Sequence, residues 1–262
     1  MKKLKSFLVI SAIVFCIMFC TMSVNAQGIG GKAGTGGKGG FGGGGTPSYA
    51  FVTSTYVAET GAGPFSSITS PSLTLSAGQM VDVFCRNATA TANAFTFSST
   101  PSNTWNSVAN QLNSTFGGNA QLGYAFNVGA GSTTFTCTPA SSAGFMSMIV
   151  VVYSASPYFS TLNTSSTLAA TATGSTATSS TFSTTHSGVI LMCTTISNAT
   201  STWTAGTIAG QTATIRQTSD ATNTSGDSVC EDYISSTSQT SVTGSVSWNS
   251  TRNWNLTVGA FN

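Results

Sequence analysis

The side chains able to do chemistry are few and scattered. The single histidine, His186, sits in Thr184-Thr185-His186-Ser187-Gly188. As the base of a Ser-His-Asp hydrolase it would need an acid to orient it and a serine to activate. No G-x-S-x-G elbow occurs, and serine is so abundant that a neighbouring one is uninformative. An ordinary turn histidine is the plainer reading. The acids cluster once, at Asp227, Glu231 and Asp232. Calcium takes several oxygen ligands, but there is no D-x-D-x-D-G loop, and on a strand Glu231 and Asp232 face opposite ways. A glycosidase carboxylate pair would have to draw on these acids plus Glu59, Asp82 and Asp220. No catalytic, cofactor-binding or metal-ligating residue is therefore assigned, and the chain is expected not to be an enzyme.

Aromatic residues offer a different chemistry. Trp105, Trp203, Trp248 and Trp254, with several tyrosines, supply flat faces on which a sugar ring stacks, and Asn and Thr side chains suit its hydroxyls. Large aromatics also simply fill cores. Trp254 alternates with apolar residues and belongs in a core, whereas Trp105 and Trp203 lie in Asn/Thr-rich segments and are the ligand candidates. Seven Asn-x-Ser/Thr sequons occur, at Asn87, Asn113, Asn163, Asn198, Asn223, Asn249 and Asn255. So much Ser and Thr produces several by chance.

Composition narrows the classes further. Charged residues are 5% of the 262, against about 25% in an ordinary soluble protein. Three of the eight basic residues stand in the first five positions, and Lys32 and Lys38 follow in a glycine tract. That leaves Arg86, Arg216 and Arg252, too dispersed for the clustered basic face that nucleic-acid binding requires. About a third of the residues are Ser or Thr. Thr, Val, Tyr, Phe and Trp favour pleated sheet, and strong helix formers such as Lys and Glu are nearly missing.

The N-terminus has the form of an export signal. A basic Met-Lys-Lys-Leu-Lys stretch precedes the apolar run from Phe7 to Met22, then Ser23-Val24-Asn25-Ala26 with small residues around a cleavage point. The run is shorter than the roughly 18–20 residues of a membrane span, so the mature chain is expected to have no transmembrane segment and to be secreted or held at the cell surface. Bulky Phe19 before Cys20 argues against lipidation. Residues 27–48 are a flexible glycine-rich tether, without the strict period of collagen.

From Tyr49 onward, alternating segments are separated by Gly, Ser, Asn and Pro. Val81, Val83 and Cys85 form one period-2 set and Leu122, Tyr124, Phe126 and Val128 another, as in half-buried strands of a sandwich. The run from Met148 to Tyr153 suits a central strand covered on both sides. The pattern recurs with an offset of 108 residues, placing Val189, Leu191 and Cys193 on Val81, Val83 and Cys85. Trp254, Leu256, Val258 and Ala260 fall likewise on Met146, Met148, Val150 and Val152. The expectation is an all-β chain of two tandem antiparallel β-sandwich modules, 49–156 and 157–262.

Four cysteines follow the signal, and in an exported chain they suit two disulfides in one of three connectivities. The expected pairs are Cys85–Cys137 and Cys193–Cys230, each joining strands of one module's core. Free buried thiols are the alternative.

The segments "LTLSAGQMVDVF", "NTWN", "AQLGYAFNVGAGSTTFTC" and "MIVVVYSAS", followed by "STFSTTHSGVILMC", "SVCEDYISSTSQTSVTGSVSWNS" and "WNLTVGAF", carry a resemblance. The chain resembles secreted bacterial proteins with a pair of jelly-roll or Ig-like β-sandwiches, of uncharacterised function. The resemblance implies fold and export and no catalytic residues. The functional expectation is a structural or adhesive protein of the cell surface or an extracellular fibre. Self-association would proceed by strand addition through Tyr49, Phe51, Val52, Tyr56 and Val57, freed by the tether. A carbohydrate-binding module using Trp105 and Trp203, with glycans as partners, is the alternative. A secreted hydrolase is the third reading.

Overall fold

The computed structural model describes residues 46–59, 63–89, 93–108, 110–113, 118–163, 168–197, 201–219 and 226–262. The expected export signal and the glycine tract through Gly45 lie outside them. Among the described residues there is no helix, and hence none long and apolar enough to cross a membrane.

The first half contributes ten strands: β1 (Ser48–Ala58), β2 (Ile68–Thr69), β3 (Leu73–Leu75), β4 (Gln79–Asn87), β5 (Phe95–Thr100), β6 (Asn106–Ser107), β7 (Gln111–Asn113), β8 (Gly118–Val128), β9 (Gly131–Pro139) and β10 (Met146–Ser156). An antiparallel sheet runs β1-β10-β4-β8-β6, with β7 also on β8. A second, smaller sheet is built around β9, which takes β2, β3 and β5. Alternation along β4 and β10 turns Val81, Val83, Cys85, Met148, Val150 and Val152 toward the smaller sheet, where they meet Ile68, Phe95, Phe97 and Phe135.

The second half contributes β11 (Leu168–Thr178), β12 (Gly188–Ser197), β13 (Trp203–Ile208), β14 (Gln211–Thr212), β15 (Thr214–Thr218), β16 (Gly226–Ser235) and β17 (Gly244–Phe261). The order β11-β17-β12-β16-β15 repeats β1-β10-β4-β8-β6 strand for strand. The long β17 pairs with β12 along its end and with β13 along its beginning, and β11 follows it with a register break between Gly174 and Thr176. Two layers are thereby joined by continuous strands, and Ile190, Met192, Leu256 and Val258 of one meet Ala177, Val246, Trp248 and Ile208 of the other.

A third apolar layer joins the halves. Met80, Phe84, Leu122, Tyr124, Ile149, Val151 and Tyr153 meet Val189, Leu191, Cys193, Cys230 and Phe261. Strands β4, β10 and β12 are therefore covered on both faces, and residues 45–262 cluster as one unit. Phe159, in the segment connecting the halves, is fully buried in the same layer beside Tyr49 and Phe126. Each fully buried Leu, Ile or Phe contributes about 1.5–3 kcal/mol, so the layer holds the halves firmly.

This layer corrects the expected register. Val81 lies opposite Val152, and Ile190 lies opposite Ala260. Strand β4 therefore maps onto β12 with an offset of 109, not 108, while β10 maps onto β17 with 108. One residue of slip exchanges faces. Val81, Val83 and Cys85 point into the core of their own half, whereas Val189, Leu191 and Cys193 point at the other half.

The disulfides follow the faces. Cys85–Cys137 crosses the first half's core from β4 to β9. Cys193–Cys230 links directly opposed residues on neighbouring strands β12 and β16. It lies in the layer between the halves, not inside its own core as expected.

Candidate functional site

Gathering the acids on one strand separates them in space. Asp227, Glu231 and Asp232 all lie on β16. Glu231 points into the second half's core, opposite Met192 and Ile215. It is fully buried; the Gly206 N–H donates to its Oε2 at 3.2 Å, and burial raises its pKa to about 7. Asp227 accepts from the Ser228 and Ser201 backbone N–H groups at 2.8 and 3.1 Å and from the Ser219 hydroxyl. Burial still raises its pKa against those bonds. Asp232 points the other way, into the layer between the halves.

There Asp232 gathers groups from both halves. The Tyr153 hydroxyl donates to its Oδ2 at 2.7 Å, and Arg216 Nε lies 2.9 Å from both carboxylate oxygens. The Arg216 guanidinium sits 4.5 Å from the Phe51 ring centre, and the Ser54 hydroxyl donates to the Arg216 carbonyl at 2.8 Å. Asp82, on β4 beside this group, is fully buried with no hydrogen-bond partner on either carboxyl oxygen. Burial, reinforced by the charge of Asp232, pushes its pKa well above the usual carboxylate range. Arg86 is fully buried too, its pKa lowered to about 10 by burial. It occupies the space in which a Cβ on Gly226 would fall, and Gly226 has φ of 139°, a conformation that glycine adopts without strain. These contacts bind one half to the other. They offer no open position for a substrate, and among the described residues no three of His, Cys, Asp and Glu are grouped to hold a metal ion.

His186 takes a hydrogen bond between Nδ1 and the Thr185 hydroxyl at 2.8 Å. It lines a cavity of about 10 Å³ with Asn163, Thr184, Gly188, Ser235 and Asn262, room for at most one water. Among the described residues, no Asp or Glu side chain lines that cavity.

The tryptophans divide. Trp254 and Trp248 are buried, and Trp203 stands against Trp248 at 5.4 Å, packed on the second half's core. Trp105 is half-buried at the rim of the first half. Its ring stacks on Phe97 at 6.0 Å and meets Phe135 edge-on at 5.9 Å, and its Nε1–H donates to the Ser99 hydroxyl at 3.3 Å. Phe95, Thr96, Phe97, Trp105, Asn106 and Ser107 line an open groove of about 240 Å³ between the edges of β5 and β6. The structure thus separates Trp105 from Trp203 rather than joining them in one platform.

The proposed assembly strand is not free. Tyr49, Phe51, Val52, Tyr56 and Val57 belong to β1, which is laddered to β10 from Ser48 opposite Ser156 to Ala58 opposite Ser147. The ladder slips at Val52, which is 42% exposed. Of the sequons, Asn87 and Asn255 are fully buried, which bars a glycan from the folded chain at both. Sequence reasoning missed the joint of Asp82, Tyr153, Arg216 and Asp232; an aspartate inside the apolar run Met80–Cys85 was the one available signal. It also missed that β5 brings Phe97 against Trp105.

No family model, curated protein or solved structure matches the chain.

Proposed function

We propose that the chain is an exported, non-catalytic structural or adhesive protein, a rigid two-sandwich body presented on a glycine-rich tether at the cell surface or in an extracellular matrix. One observation carries this reading: the body keeps most of its described charges inside. Asp82, Arg86, Asp227, Glu231 and Asp232 are buried, Arg216 is paired to Asp232, and no lysine occurs after Lys38. What faces outward is dominated by hydroxyl and amide groups, which adhere through hydrogen bonds and apolar contact without attracting ions or nucleic acid. The leader and the two disulfides support an oxidising, extracytoplasmic location.

The test is mass spectrometry of the protein recovered from culture fluid and from protease-shaved intact cells. A chain beginning at Gln27, released by shaving and with both disulfides formed, is the expected result. A full-length chain found only inside the cell with four free thiols would refute export.

Self-association is a second reading, supported by the position of β1 at an edge of its sheet and by exposed Val52 on it. Addition would occur at that edge, because releasing β1 would break its whole ladder with β10. Negative-stain microscopy of the mature chain across concentration tests it. Filaments that vanish in Val52→Lys with unchanged thermal stability are expected; dispersed single bodies at every concentration would dismiss it.

A further inference from the structure

We propose that the groove between β5 and β6 binds the ring of a neutral carbohydrate, stacked on Trp105. The site goes beyond the structural reading and stands whether or not the body assembles.

The argument begins with rigidity. Trp105 is held from three sides, by Phe97 beneath it, Phe135 at its edge and Ser99 on its indole nitrogen. Asn103 fixes that same serine, its Nδ2 donating to the Ser99 hydroxyl at 3.0 Å. A partly exposed indole in one fixed pose binds with little loss of side-chain entropy. Phe97 is itself held in place: its ring fills the space above Gly123, where any Cβ would collide with it.

The polar groups come next. Asn106, Ser107 and Thr96 are exposed at the rim. Behind them the open edge of β5 adds backbone groups. The Phe95 N–H donates to Gln121 Oε1 at 2.8 Å, away from β9. N–H directions alternate along a strand, so the N–H and C=O of Phe97 also point away from β9, toward the groove edge. Gln121 holds the two edges together by donating from Nε2 to the Val108 carbonyl at 3.3 Å.

Charge then selects the ligand. No ionisable side chain among the described residues lines the groove, so a charged ligand finds no opposite formal charge there. An aromatic face with amide, hydroxyl and backbone groups around it matches a pyranose, whose C–H face carries the partial positive charge that a ring's electron-rich face attracts. The volume is below the roughly 300–1,000 Å³ of pockets that enclose a drug-sized molecule. It suits a single sugar unit of a longer chain lying across the surface, as in an exposed polysaccharide of another cell or of a matrix.

The test is affinity electrophoresis of the mature chain in gels containing neutral glucan, mannan, xylan or galactan. Three variants are compared with the wild type: Trp105→Ala, Asn106→Ala with Ser107→Ala, and Tyr158→Ala. Tyr158 is 63% exposed outside the groove and controls for aromatic stickiness. Retardation by at least one of the four polymers is expected, weakened about tenfold in the two groove variants and unchanged in Tyr158→Ala. Passage of the wild type unretarded through all four would overturn the proposal, as would equal retardation of the groove variants. If Trp105→Ala fails to fold, the Asn106/Ser107 variant decides alone, since both side chains are exposed.

Discussion

Replacing Glu231 by glutamine should make the protein insensitive to part of its pH range. The carboxyl is fully buried in the second half's core, and its pKa is raised from 4.5 to about 7 by that burial. The unfolded chain releases this proton near 4.5, while the folded chain keeps it to about 7. The protonated group therefore contributes its full stability below about pH 4.5 and loses it as pH rises through about 7. A displacement of roughly 2.5 units corresponds to about 3 kcal/mol between the two ends of that window. For a body of this size that is about 6–12 °C in melting temperature. Asp82 and Asp227 are raised in the same sense, so the wild type loses stability toward neutral pH for more than one reason. The difference between wild type and Glu231→Gln isolates the single group, because glutamine keeps the shape and an oxygen for the Gly206 N–H. The assay is urea denaturation of both oxidised proteins at about pH 4 and about pH 8. The two should differ little in acid, with the variant gaining about 3 kcal/mol on the wild type in base. Curves separated by the same amount at both pH values would refute the reasoning, since they would place the carboxyl in contact with solvent.

Other perturbations test the joint and the staples. Gly226→Ala would drive a Cβ into the Arg86 guanidinium and the Ile196 carbonyl; a loss of about 2 kcal/mol or more is expected in chemical denaturation. Gly129→Ala, with open space around it, should lie within about 0.5 kcal/mol of wild type. Tyr153→Phe removes the hydroxyl donated to buried Asp232 and should cost about 1–3 kcal/mol, with most of the effect absent when Asp232 is already Ala, which offers no acceptor. Non-reducing peptide mapping should recover Cys85 linked to Cys137 and Cys193 linked to Cys230, and each pair of alanine substitutions should lower stability by about 2–4 kcal/mol. Any cross-linked peptide joining Cys85 to Cys230 would contradict the packing of the layers.

The division between sequence and tertiary structure can be traced residue by residue. Period-2 patterning and the scarcity of helix formers were enough for the all-β class, because both are local properties of the backbone and its side chains. The run Met148–Tyr153 showed itself as a strand covered on both faces, because it has no polar alternation. That same uniformity hid the true repeat. In Val189-Ile190-Leu191-Met192-Cys193 either parity is apolar, so an offset of 108 matched as well as 109, and only pairing across the sheet could choose. The choice decided that Cys193 looks at the other half while Cys85 looks into its own. The polar joint was equally out of reach. Asp82, Tyr153, Arg216 and Asp232 are up to 150 positions apart, and burial by a neighbouring layer gives each its partner or its altered acidity. Trp105 was visible as a candidate by its type and its Asn/Thr-rich surroundings, yet only the packing of β5 supplies Phe97 beneath it. Composition and alternation settle what each strand can bury; which surface it buries against is set by long-range packing, which leaves no periodic trace in the chain.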